Sequence, residues 1–217
     1  MSDERKAALP KQIPFIIGNE ACERFSFYGM RNILTKFLIG TMLLQYVPDK
    51  DMRELAAKDV FHTFVMGVYF FPLLGGWLSD RFFGKYNTIL WFSLIYSVGQ
   101  GCLAMFTDSR EGFYAGLFLI ALGSGGIKPL VASFVGDQFD QTNKHRAKAV
   151  FDAFYWSINF GSFFASLLMP IFLRDFGPRV AFGIPGVLML LATIIFWAGR
   201  GRYVRVPPSP ANPHSFG

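Results

Sequence analysis

Six times along its 217 residues this chain runs through a stretch of mostly apolar side chains and returns to a short polar segment. A bilayer core about 30 Å thick takes roughly 20 residues of helix to cross, and these stretches have that length. A water-soluble chain of this size has nowhere to hide several such runs. Spans are therefore predicted over 13–46, 60–79, 86–106, 113–135, 149–173 and 180–199. Charged residues make up only 17% of the chain, against roughly 25% in soluble domains. The expected fold is an all-α membrane protein of six transmembrane helices.

The formal net charge is +6, but the basic residues lie mostly between the apolar runs, so membrane topology explains them better than nucleic acid does. With the N-terminus inside, the inner segments hold eleven of the 21 Lys and Arg, from Arg5 and Lys6 through Arg81, Lys85, Lys144 and Arg146 to Arg202 and Arg205; the outer segments hold six. That excess places both termini in the cytoplasm. The expected organisation is a cytoplasmic tail over 1–12, a six-helix bundle over 13–199, and a cytoplasmic linker over 200–217, rich in Pro, Ser and Arg. Six spans with both ends inside also make one half of a twelve-span transporter, in which each half holds two inverted three-helix repeats. Cys22 and Cys102 lie in apolar runs without metal-site spacing. Neither a nucleophile-elbow nor a phosphate-loop motif occurs, so the chain reads as a non-enzyme, with no catalytic residues, metal or organic cofactor expected.

The first span carries the chemistry. Gly18 to Arg31 reads GNEACERFSFYGMR and sets Glu20, Glu23, Arg24 and Arg31 at hydrocarbon depth. A charge at the bilayer centre costs about 2.5–3.5 kcal/mol on insertion scales, so such charges must face one another or a hydrated cavity. Spacings of four, four and three put Glu20, Arg24, Tyr28 and Arg31 on one helix face, with Glu23 at its edge. The bland alternative is an ion pair that only locks helices together. The functional alternative is a proton switch: Arg stays charged, while a desolvated Glu can gain and lose a proton.

Three further features stand beside it. Lys128 follows Gly123, Gly125 and Gly126 near the middle of the fourth run, where small residues let helices approach closely; snorkelling to the interface is the competing reading. His62 shares a face with Met66 and Tyr69 and titrates near neutral pH, or else is simply packed. Tyr155, Asn159 and Ser162 make a polar stripe on the fifth run, which interhelical hydrogen bonding alone could also explain.

Three blocks together resemble the proton-dependent oligopeptide transporters, the POT/PTR family of the major facilitator superfamily. They are Glu20-x-x-Glu23-Arg24 with Phe25, Phe27, Tyr28 and Gly29; Gly123 to Pro129 continuing to Asp137-Gln138-Phe139; and Phe154 to Ser162. The loop from Gly76 to Lys85 also looks like the superfamily's loop motif. Where many members carry Tyr, this chain carries Phe27. The resemblance implies the N-terminal bundle of a major facilitator fold, a second six-helix half as partner, and a multi-pass protein of the cell membrane importing di- and tripeptides with protons as the coupling ion. It assigns proton coupling to Glu20, Glu23, Arg24 and His62, and peptide binding to Tyr28, Arg31, Tyr69, Lys128 and Asn159. Other readings are a same-family carrier of nitrate, an amino acid or a peptide-like drug, and a non-transporting six-helix receptor or regulatory half.

Overall fold

A computed structural model describes residues 10–141 and 143–208. The calls on Arg5, Lys6, most of the 1–12 tail and the linker beyond residue 208 lie outside the described residues. Every element among the described residues is helical: α1 Ile13–Phe37, α2 Lys50–Leu78, α3 Gly84–Met105, α4 Arg110–Gly136 and α5 Ala147–Ala198.

The boundaries follow local chemistry. Pro lies in the first turn of α1, where its missing N–H is not needed. α1 continues through a π turn and a 3₁₀ turn to Gln45, matching the long first run. α2 starts about ten residues earlier than the apolar pattern predicts. Asp49 caps it by accepting from the Met52 N–H at 2.8 Å, and Arg53 donates to the carbonyls of Ile39, Val47 and Pro48, tying the new helix to the end of the old one. Ser109 caps α4 in the same way, accepting from Gly112.

Two expected loops are not loops. Between 79 and 86 the backbone makes a π turn over Ser79–Phe83 and reverses at Gly84, φ 72°. Between 173 and 180 it stays helical up to a single break at Gly177, φ 81°, with Pro178 restarting the helix. Glycine takes this left-handed conformation without a Cβ clash. The break divides α5 into two arms. Helical stretches 50–105, 110–136 and 144–201 are long and apolar enough to cross a membrane.

α1 packs chiefly on α5, α4 lies between α2 and α3, and α3 also meets α5. Contacts from α1 reach both arms of α5: Gly161 and Met169 on one, Pro185 and Ala192 on the other. Aromatic clusters fill both ends. Phe37, Phe113 and Phe182 meet with centroids 5.0–5.3 Å apart. Tyr86, Phe134, Phe196 and Tyr203 close the opposite end. At that second end Gln138 bonds Val204 through both its oxygen and its nitrogen, Gln12 reaches Gln138, and Lys85 pairs with Asp137 at 2.7 Å. The segments grouped as inner by charge thus gather at one end. Arg53, Arg110 and Arg179, grouped as outer, make their contacts with Val47, Tyr46 and Asp108.

Candidate functional site

Helical spacing delivers the carboxylates and the arginine of α1 to one another. Glu20 and Glu23 are each 1% exposed. Arg24 Nε donates to Glu20 Oε1 at 2.5 Å and lies 3.3 Å from Glu23 Oε2. One guanidinium therefore serves two buried carboxylates. Glu20 Oε2 and both oxygens of Glu23 accept no hydrogen bond among the described residues. A buried carboxylate without full partners is costly, and taking up a proton relieves that cost.

The second cation comes from α4, and glycine explains how it arrives. A Cβ on Gly75 of α2 would sit 2.5 Å from the Cα of Gly126, so the two backbones touch only because Gly75 has no side chain. On its other side Gly126 lies against the Phe92 ring of α3. Seated this deeply, α4 carries Lys128 to α1, where its Nζ stands 3.5 Å from the centre of the Phe27 ring. Glu23 and Glu20 attract Lys128, and Arg24 and Arg31 repel it. It is half-buried rather than snorkelled to an interface.

The remaining predicted residues divide into two groups. Tyr28 and Arg31 lie half-buried along the α1 face; Tyr28 meets the edge of Phe27, and the Arg31 guanidinium sits 5.4 Å over the Phe61 ring. Neither Arg31 nor Lys128 has an ion pair among the described residues. His62, Tyr69 and Asn159 are not brought to the carboxylates. His62 is exposed on α2 with its ring against Phe61. Tyr69 is 76% exposed on the same face. Asn159 is exposed on α5 and donates to the carbonyl of Tyr155 at 2.8 Å.

Sequence reasoning missed the polar groups that hold α1 from behind. Asn19 donates to the Ala192 carbonyl at 2.9 Å, Ser26 donates to the Pro185 carbonyl at 2.7 Å, and Gln100 of α3 donates to Ser26 at 3.2 Å. Tyr96, one turn before Gln100, is fully buried, with its hydroxyl beside Ser26, Gln100 and Glu23. The available signal was the seven-residue spacing of Asn19 and Ser26, which sets both on one face. The charges beside them drew attention to the other face.

The sequence model described as PTR2, POT family, matches residues 86–215. Peptide transporter family 1 of Drosophila melanogaster is 42% identical over 92% of this chain, and solute carrier family 15 member 2 of Danio rerio is 39% identical over 92%. The chain spans 28% of the length of each of these relatives. Among solved structures, the POT family transporter PepTSo is 68% identical, with TM-score 0.92 over 96% of this chain and 41% of that one. A peptide transporter POT in complex with alafosfalin is 31% identical, with TM-score 0.79 over 89% of this chain and 39% of that one. A family match over residues 86–215, more than half the chain and spanning α3, α4 and α5, leads to one conclusion: this chain belongs to the POT family of membrane transporters.

Proposed function

We propose that this chain supplies the N-terminal half of a proton-coupled symporter that imports di- and tripeptides by alternating access across the cell membrane, with both its ends in the cytoplasm. One constellation carries the reading: two buried carboxylates sharing Arg24, beside the cations Lys128 and Arg31, which have no ion pair among the described residues. The carboxylates take up the proton. Protonating either one leaves Arg24 with a single partner, so proton binding rearranges the pairing. Arg31 and Lys128 receive the peptide carboxylate, Arg31 through a two-pronged contact. Tyr28, Tyr69 and Asn159 bind the peptide backbone, and His62 serves proton transfer from the outer part of α2. The ammonium partner comes from a second six-helix half, to which the segment after α5 connects.

In this reading α1, α2, α3, α4 and the two arms of α5 are six spans arranged as two inverted three-helix repeats, over 13–199. Two breaks support that division, since Gly84 and Gly177 lie where the charge pattern turns the chain around. The relatives' names support peptide as the substrate class.

The test is peptide uptake by the full-length protein in proteoliposomes across an imposed pH gradient. Replacing Glu20 and Glu23 together by Gln is expected to abolish gradient-driven uptake while leaving peptide counterflow. Undiminished gradient-driven uptake in that variant would sink the proton assignment. Arg31→Glu is expected to abolish peptide binding, and unchanged affinity would remove Arg31 from the carboxylate clamp.

A further inference from the structure

Lys128 has two possible resting places within α1's reach. One is the pair of carboxylates, which still offer three oxygens without a hydrogen bond. The other is the face of Phe27. The ammonium takes the ring, at 3.5 Å from its centre, well inside the roughly 6 Å range of a cation–π contact. The ring is held for this role. Phe27 is 4% exposed, stacks on Phe64 of α2 with centroids 6.2 Å apart, and meets Tyr28 edge-on at 5.6 Å. Three helices, α1, α2 and α4, thus meet at one contact. The Arg31 guanidinium lies over Phe61 in a parallel arrangement.

We infer that Phe27 is a positioning residue: its ring seats the Lys128 ammonium and keeps it off Glu20 and Glu23, so that the cation stays available to an incoming anionic group. An ammonium has three donors, and a ring face occupies only one side of it. A carboxylate would instead neutralise it. An aliphatic side chain of similar size fills the space but has no negative π face, so Lys128 falls onto Glu23 and the anion site closes. Tyrosine at this position keeps the face, and the absent hydroxyl is not needed for seating the cation. The role in peptide binding rests on the function proposed above; the seat itself does not.

The experiment separates the two. Full-length protein with isotope-labelled lysine side chains is reconstituted in lipid nanodiscs, and the Lys128 resonance is assigned by its loss in Lys128→Arg. Protons over a ring face are shielded, so Lys128 is expected upfield of the other lysines. Phe27→Leu is expected to remove that shift, and Phe27→Tyr to retain it. Peptide KM is expected to rise about 5- to 30-fold in Phe27→Leu, the span of a desolvated cation–π contact, with kcat less affected. Stepwise fluorination of Phe27, which weakens the π face at nearly constant volume, covers the case in which the leucine variant does not fold; KM is expected to rise with each fluorine. An unshifted Lys128 in the wild-type protein, or a KM indifferent to fluorination, overturns the inference. A shifted Lys128 in a protein that carries no peptide upholds the seat and overturns the transport reading.

Discussion

Arg24 balances two carboxylates that have almost no access to solvent. Removing one partner of a buried ion pair leaves the other charge stranded, at a cost of roughly 3–5 kcal/mol. Arg24→Leu is therefore expected to lower the unfolding temperature of the full-length protein sharply. Adding Glu20→Gln to that variant is expected to restore part of the loss, because a neutral amide no longer needs the cation. Equal melting of the single and double variants would show that Glu20 does not depend on Arg24. This pairing was legible from the four-residue spacing alone. The position of Lys128 was not: spacing within α4 says that a lysine lies deep, but not that an aromatic ring rather than a carboxylate receives it. That choice depends on Phe64 and Tyr28 fixing the Phe27 ring, and the contact with Phe64 crosses from α1 to α2.

Helices in a bilayer gain little from burying apolar surface against one another, so close packing and polar contacts decide how elements meet. The approach of α2 to α4 at Gly75 and Gly126 is one example. Gly75→Leu is expected to push the two helices apart, at about 1–3 kcal/mol for overpacking, and to weaken peptide affinity by withdrawing Lys128. Thermal unfolding and peptide binding measured on the same sample check both effects. Ser26→Ala is expected to cost far less, about 0.6 kcal/mol, the average for an interhelical hydrogen bond. A much larger loss would show that the contact with Pro185 and Gln100 is coupled to the carboxylates one turn away. The small-residue block on α4 announced close packing in advance. The start of α2 did not, because hydropathy registers only the apolar part of a helix, whereas Asp49 and Arg53 begin it in a polar segment.

At the level of the whole molecule, charge bias and structure agree on which segments share an end. What the sequence concealed is that the segment after α5 is not a free linker from Arg200 onward. Tyr203 is packed among Tyr86, Phe134 and Phe196, and Gln138 grips the backbone at Val204. No periodicity marks such a segment, since much of its order comes from α3 and the end of α4, more than sixty residues away. Gln138→Leu is expected to release it, read as faster tryptic cleavage after Arg202 and Arg205 in the folded protein. Cleavage at the wild-type rate would show that the aromatic packing alone suffices.

The grip at Gln138 also sets the slack of the tether. If the chain were loose from the end of α5 at Ala198, the ten residues through Pro208 would add roughly 33–36 Å of reach to whatever follows. Because they are laid down along the bundle, that length is withdrawn, and the leash is measured from Pro208. In the twelve-span reading proposed above, a second half would pivot from a fixed post beneath α3 and α4, with an arc set by the residues beyond the post.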